Sequence, residues 1–178
     1  MKRSNKNFIG LFGGSFDPPH KGHLKIAIAS IKILKLKKLY WLVTSKNPFK
    51  TKTLFNLSQR IKKSKDLIKN KKKVSVRSLD KLARSTRMIK IIEYLSTKNK
   101  RAVFFLILGS DNLASFHKWK NWKKIVKVCK LIVFSRKGHD KKAKKSFIFR
   151  YLNQKNIIFV KNYKIDISSS KLRKNLLS

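Results

Sequence analysis

The chain has 178 residues and carries 47 Lys and Arg against 7 Asp and Glu, a formal net charge of +40. Yet 42% of it is hydrophobic and twelve residues are Phe, enough apolar mass for a core and too much for a disordered basic tail. Its one cysteine, Cys129, excludes an internal disulfide framework and a multi-cysteine zinc site, and its longest apolar run, residues 102–108, is too short to span a bilayer. The first twelve residues lack the continuous apolar stretch of a signal peptide, so the reading is one domain, 1–178, working in a reducing compartment such as the cytoplasm.

In chain order, the first predicted strand is 8–12, short, apolar and rich in aromatic and β-branched residues. A helix is predicted over 20–36, then a strand at 39–44, a helix at 57–69, a strand at 74–76 and a helix at 86–96. The strand at 102–108 is followed by helices at 112–116 and 122–129, and by a strand at 131–134. Residues 137–145 combine Gly138 with a dense Lys run and read as a mobile surface loop. A weaker helix at 144–152, a strand at 157–160 and a helix at 169–177 complete the chain. Strand–helix alternation with strands apolar on both faces predicts an α/β, Rossmann-like architecture, a mostly parallel sheet with helices on both faces. Ligands of such sheets bind at the carboxyl ends of the strands.

Lys is spread through nearly the whole chain, which favours polyanions in general without a signature for reading a specific nucleic acid sequence. That spread makes the scarce residues informative. Of six Gly, three Pro and four His, seven fall in one window behind the first strand: Gly13, Gly14, Pro18, Pro19, His20, Gly22 and His23. Two glycines after a strand let backbone N–H groups approach a phosphate closely. His20 and His23, three residues apart, place both imidazoles on one side of a first helical turn, at its positive end, where anions bind. Gly22 between them keeps that surface low. No third ligand spacing for zinc accompanies the pair, so no protein-held metal is expected.

The run Gly14-Ser15-Phe16-Asp17-Pro18-Pro19-His20-Lys21-Gly22-His23 resembles the Gly-x-Phe-Asp-Pro-x-His-x-Gly-His signature of the nucleotidyltransferase superfamily. Near the other end, Ile167-Ser168-Ser169-Ser170-Lys171-Leu172-Arg173 looks like the superfamily's Ile-Ser-Ser-Thr-x-Ile-Arg motif, with Ser170 for Thr and Leu172 for Ile. The resemblance implies catalysis by His20 and His23 at the phosphates of ATP, with release of pyrophosphate. It also implies ATP contacts from Gly13, Gly14, Ser15 and Phe16, and from Ser168, Ser169, Ser170 and Arg173. Physically the second motif reads as hydroxyls capping a helix whose Arg173 meets another phosphate.

Three further segments resemble the nicotinate-nucleotide adenylyltransferase family. Residues 41–50 are similar to its second-strand loop, which implies that Lys50 contacts the mononucleotide. The segment Gly109-Ser110-Asp111, with Trp119 beyond it, implies an adenosine pocket at Gly109 and Asp111 and a stacking platform at Trp119; an electron-poor pyridinium suits indole. Trp122 reads as packing. Arg136, after the strand at 131–134, is implied as an anion contact of the mononucleotide. Nicotinic acid mononucleotide and ATP are thus the implied substrates, with Mg²⁺ arriving on ATP. Asp17 and Asp111 are the acids near the site, Asp17 also suiting an Asx-type turn ahead of Pro18. At 86–92 the chain departs from the family's Tyr-Thr and Asp-Thr pattern, reading Thr86-Arg87-Met88-Ile89-Lys90-Ile91-Ile92. Three readings stay open beside this one: phosphopantetheine as acceptor, nicotinamide mononucleotide as acceptor, and a non-catalytic nucleic-acid-binding protein on the same fold.

Overall fold

Alternation along each strand sorts the apolar side chains to two faces, and both faces are covered. The computed structural model describes residues 7–47, 53–153, 156–161, 169, 172 and 173. Six strands, β1 (Asn7–Gly14), β2 (Lys38–Val43), β3 (Val74–Arg77), β4 (Ala102–Gly109), β5 (Cys129–Phe134) and β6 (Ile157–Val160), lie in the order β3-β2-β1-β4-β5-β6. Every pairing is parallel, as the sequence predicts. Helices α1 (Lys21–Ile33) and α2 (Leu57–Leu67) cover one face, where Ile26 and Ala27 meet Phe12, Trp41, Phe105 and Ile107. Helices α3 (Met88–Lys98), α4 (Ser110–Ser115), α5 (Trp122–Val128), α6 (Asp140–Lys144) and α7 (Phe147–Tyr151) cover the other, where Ile92, Leu113, Ile125 and Ile148 meet Leu11, Leu106 and Val133.

The strand order fixes where a ligand can sit. The chain winds outward from β1 to β3, returns to the centre at β4 and winds outward again to β6. The loops after β1 and β4 therefore diverge, and a crevice opens between them at the carboxyl edge of the sheet. Gly10 lets α1 and its exit close over β1: a Cβ there would come within 2.6 Å of a Leu36 methyl and 3.1 Å of an Ile107 methyl.

The expected mobile loop at 137–145 is corrected by the structure. Residues 140–144 form α6, Ala143 is fully buried, and the Asp140 carboxylate accepts from the Ser135 hydroxyl at 2.5 Å and the Arg136 N–H at 3.0 Å. The expected helix at 144–152 is split as well. The Ser146 hydroxyl donates to the Ala143 carbonyl at 2.6 Å and accepts from the Phe149 N–H, ending α6 and capping α7 in one place. Of the predicted last helix, Ser169, Leu172 and Arg173 are helical, and its other residues lie outside the described ones.

Candidate active site

The crevice is a cavity of about 610 Å³ lined by both loops, by the start of α3 and by the segment after α4. Gly13, Gly14, Ser15, Phe16, His20, His23, Gly109, Asp111, Trp119, Arg136 and Ser169 all line it. The two glycines end β1, and any side chain at Gly13 would run into Met88 of α3. Phe16 takes a left-handed backbone, φ 49°, a conformation that costs a side-chain-bearing residue about 1–2 kcal/mol. Its buried ring offsets this by packing on Trp41 at 4.7 Å, His23 at 5.0 Å and Phe12 at 5.2 Å between centroids.

His20 is the cap before α1, in extended backbone, and not part of the first turn as the spacing suggests. Its N–H donates to Nδ1 of His23 at 3.3 Å, and the two rings stack with centroids 3.7 Å apart. Because His23 Nδ1 accepts, the proton of neutral His23 sits on Nε2. His20 is buried, and its Nδ1 has no partner among the described residues. Burial, then the nearby positive charge of Arg136, lowers the His20 pKa to about 4. His20 is therefore a neutral donor at physiological pH.

This shift carries a stability signature. The unfolded chain takes a proton on His20 near pH 6.5 while the folded chain resists until about pH 4, so stability falls as pH drops through that window. The expected loss is on the order of 3 kcal/mol, and His20→Asn should flatten it. Thermal melts from pH 7 to 4 check this; identical slopes for both proteins would count against the assignment.

On the other wall, Arg136 pairs with Asp111 at 2.5 Å, and its N–H also meets the Ser110 hydroxyl at 3.1 Å. A Cβ at Gly109 would collide with the Asp111 carboxylate. Trp119 ends a 3-10 turn (Phe116–Lys118) and leans on Phe116 with centroids 5.0 Å apart. Lys46, Arg87, Lys118 and Lys120 line the same cavity. Trp122 packs against Phe147 and Tyr151 and is absent from the lining.

The two ends of the chain meet here. The Ser169 hydroxyl donates to the Pro18 carbonyl at 3.0 Å, and Arg173 donates to the Asp17 carbonyl at 2.6 Å with its carboxylate 3.7 Å away. Ser168, Ser170 and Lys50 lie outside the described residues. The Asx-type turn suggested for Asp17 is corrected: its carboxylate accepts the N–H groups of Leu54 at 2.8 Å and Phe55 at 2.9 Å, tying the first loop to the entry of α2.

Sequence reasoning missed Arg60 and Asp80. Arg60 is 1% exposed and gives its guanidinium to the carbonyls of Ser15 and Thr44. Asp80 accepts from the Ser45 N–H and hydroxyl at 2.6 and 2.7 Å, fixing the loop after β2. The available signal was scarcity, since nine of the 47 basic residues are Arg.

The turn after β1 with its stacked histidines, the loop after β4 and Ser169 thus share one crevice at the switch point of a doubly wound sheet. The cytidylyltransferase-like family matches residues 11–175. A Pelagibacter ubique protein named "Probable nicotinate-nucleotide adenylyltransferase" is 42% identical over 169 residues, 95% of this chain and 93% of that one. A Rhizobium meliloti protein of the same name is 35% identical over 131 residues, 73% of this chain and 69% of that one. The chain belongs to the nicotinate-nucleotide adenylyltransferase family. Its fold is that of the Plasmodium falciparum nicotinic acid mononucleotide adenylyltransferase solved with NaAD, at TM-score 0.76 and 20% identity over 94% of this chain and 83% of that one.

Proposed function

We propose that this chain, as one nucleotidyltransferase domain in the cytoplasm, transfers the adenylyl group of ATP to nicotinic acid mononucleotide, giving the deamido dinucleotide and pyrophosphate. The observation that carries the reading is the stacked pair His20 and His23 lining one crevice with Ser169, while Arg173, outside that lining, holds the first loop through Asp17. A 5′-phosphate oxygen of the mononucleotide attacks the α-phosphorus of ATP. The bond from that phosphorus to the α,β-bridging oxygen breaks, and its electron pair leaves with pyrophosphate.

No covalent intermediate with the enzyme is needed. The barrier is the approach of two anions and the charge gathering on the α-phosphoryl oxygens, which fixed donors and positioning lower. His23 donates through Nε2. His20 donates while neutral, and the negative charge of a triphosphate beside it would counter the positive charge of Arg136. Gly13, Gly14, Ser15 and Phe16 offer backbone to the phosphates, and Gly109 and Asp111 border the adenosine. Arg136, paired with Asp111 and close enough to His20 to depress its pKa, is read as a phosphate contact where the two substrates join. Trp119 and Lys50 take the mononucleotide.

Among the described residues no three His, Cys, Asp or Glu gather to hold a metal ion. The Asp17 carboxylate accepts two backbone N–H groups, and Asp111 pairs with Arg136 through one oxygen while its other has no partner among the described residues. One unpartnered carboxylate oxygen does not make a protein cage for Mg²⁺; the ion would travel on the triphosphate with water filling its shell.

Pyrophosphate release from ATP with nicotinic acid mononucleotide, nicotinamide mononucleotide or phosphopantetheine tests the reading. The first acceptor should be preferred; preference for another reassigns the substrate, and release with none rejects the activity. Trp119→Ala should raise the mononucleotide KM about tenfold, the scale of one lost stacking contact, and leave the ATP KM within about twofold. Equal weakening of both substrates would move the platform elsewhere.

A further inference from the structure

We propose that Arg60 is a positioning residue that locks the phosphate-binding turn in its donor-outward conformation, an inference that rests on reading residues 13–16 as the triphosphate site. Arg60 and Ser64 are the buried residues of α2, and Arg60 passes beneath the ends of β1 and β2. Its Nε donates to the Phe55 carbonyl at 3.0 Å. Its Nη1 donates to Ser15 at 2.7 Å and Thr44 at 2.8 Å, and Nη2 lies 3.5 Å from the Ser45 oxygen. One buried cation thus joins the turn after β1, the loop after β2 and the entry to α2. All four acceptors are neutral carbonyls.

The consequence lies in one peptide plane. A trans peptide points its C=O and N–H in opposite directions. Pinning the Ser15 carbonyl onto Arg60 turns the Phe16 N–H away from the buried side, at a turn whose residues line the cavity. Phe16 has φ 49°, so a flip of that peptide is a ready escape for the backbone once the carbonyl is released. The planar guanidinium spends two Nη1 hydrogens on two carbonyls while Nε holds a third; an ammonium has no such fixed fork. In a chain where Lys outnumbers Arg about four to one, this is a place where Lys does not serve.

The test is ¹⁵N NMR of the Phe16 amide with an α,β-methylene analogue of ATP, joined to steady-state kinetics, in wild type and Arg60→Lys. The wild-type amide should shift on binding. Arg60→Lys, folded by circular dichroism, should lose that response. Its kcat/KM for ATP should fall about thirtyfold or more, while the mononucleotide KM stays within about threefold. A folded Arg60→Lys with wild-type amide response and ATP kinetics overturns the proposal, as does a parallel rise in both KM values. Should the variant not fold, the wild-type amide decides: its silence toward the analogue overturns the proposal and its shift supports it. Wild type without turnover on nicotinic acid mononucleotide, but with the Arg60-dependent amide response intact, would reject the function and keep the inference.

Discussion

Replacing His23 with Ala should lower kcat by about a hundredfold or more, the scale of deleting one fixed donor to a transition-state oxyanion. The His20 N–H donates to His23 Nδ1 and the rings stack at 3.7 Å, so the imidazole is held in one tautomer and one orientation. Such a donor needs no reorganisation when charge moves onto the α-phosphoryl oxygens. The effect should fall on kcat more than on the ATP KM, because a fixed donor gains most where charge accumulates in the transition state. His23 is half-buried against Phe16 and Phe12, so the variant should melt only a few degrees below wild type. Turnover near wild type in a folded His23→Ala protein would remove His23 from catalysis.

Asp17→Ala should cost on the order of 3 kcal/mol of stability and most of the activity together. The carboxylate is 1% exposed and accepts two backbone N–H groups, from Leu54 and Phe55, which truncation would leave without their acceptor. It also stands 3.7 Å from the Arg173 guanidinium, so the second helix tip loses its ionic partner on the first loop. For a chain of this length that loss lowers Tm by roughly 10 °C. Calorimetry and ATP kinetics on one preparation check both halves. Asp17→Asn, which keeps one acceptor oxygen, should fall between; an Asp17→Ala protein with wild-type Tm would show that the carboxylate is not the tie described.

The sheet was legible because its strands are apolar on both faces. Residues 102–108 and 131–134 are short, apolar and β-branched or aromatic and so read as buried strands, and the structure places β4 and β5 over them. The first loop was legible because Gly, Pro and His are rare in a chain that uses Lys almost everywhere else. The 137–145 segment was not, since α6 depends on burying Ala143 and on Asp140 reaching back to Ser135 and Arg136, and neither contact has a sequence period. His20 reads as the first helical residue until its bond to His23 shows it to be the cap. Asp17 finds its partners 37 and 38 residues away, and Arg60 finds Ser15 at a separation of 45, distances at which no local pattern operates. On α2 alone, Arg60 was one more basic residue on a basic helix.

The central claim is that the phosphates of ATP lie between the stacked histidines and the helix tip that carries Ser169 and Arg173. A crystal structure with the α,β-methylene analogue of ATP tests it most directly. Phosphate oxygens should lie within hydrogen-bond distance of the His20 and His23 rings and of the turn at residues 13–16, with the adenosine toward Gly109 and Asp111. Phosphates bound elsewhere on the lysine-covered surface, with both imidazoles unengaged, would contradict it.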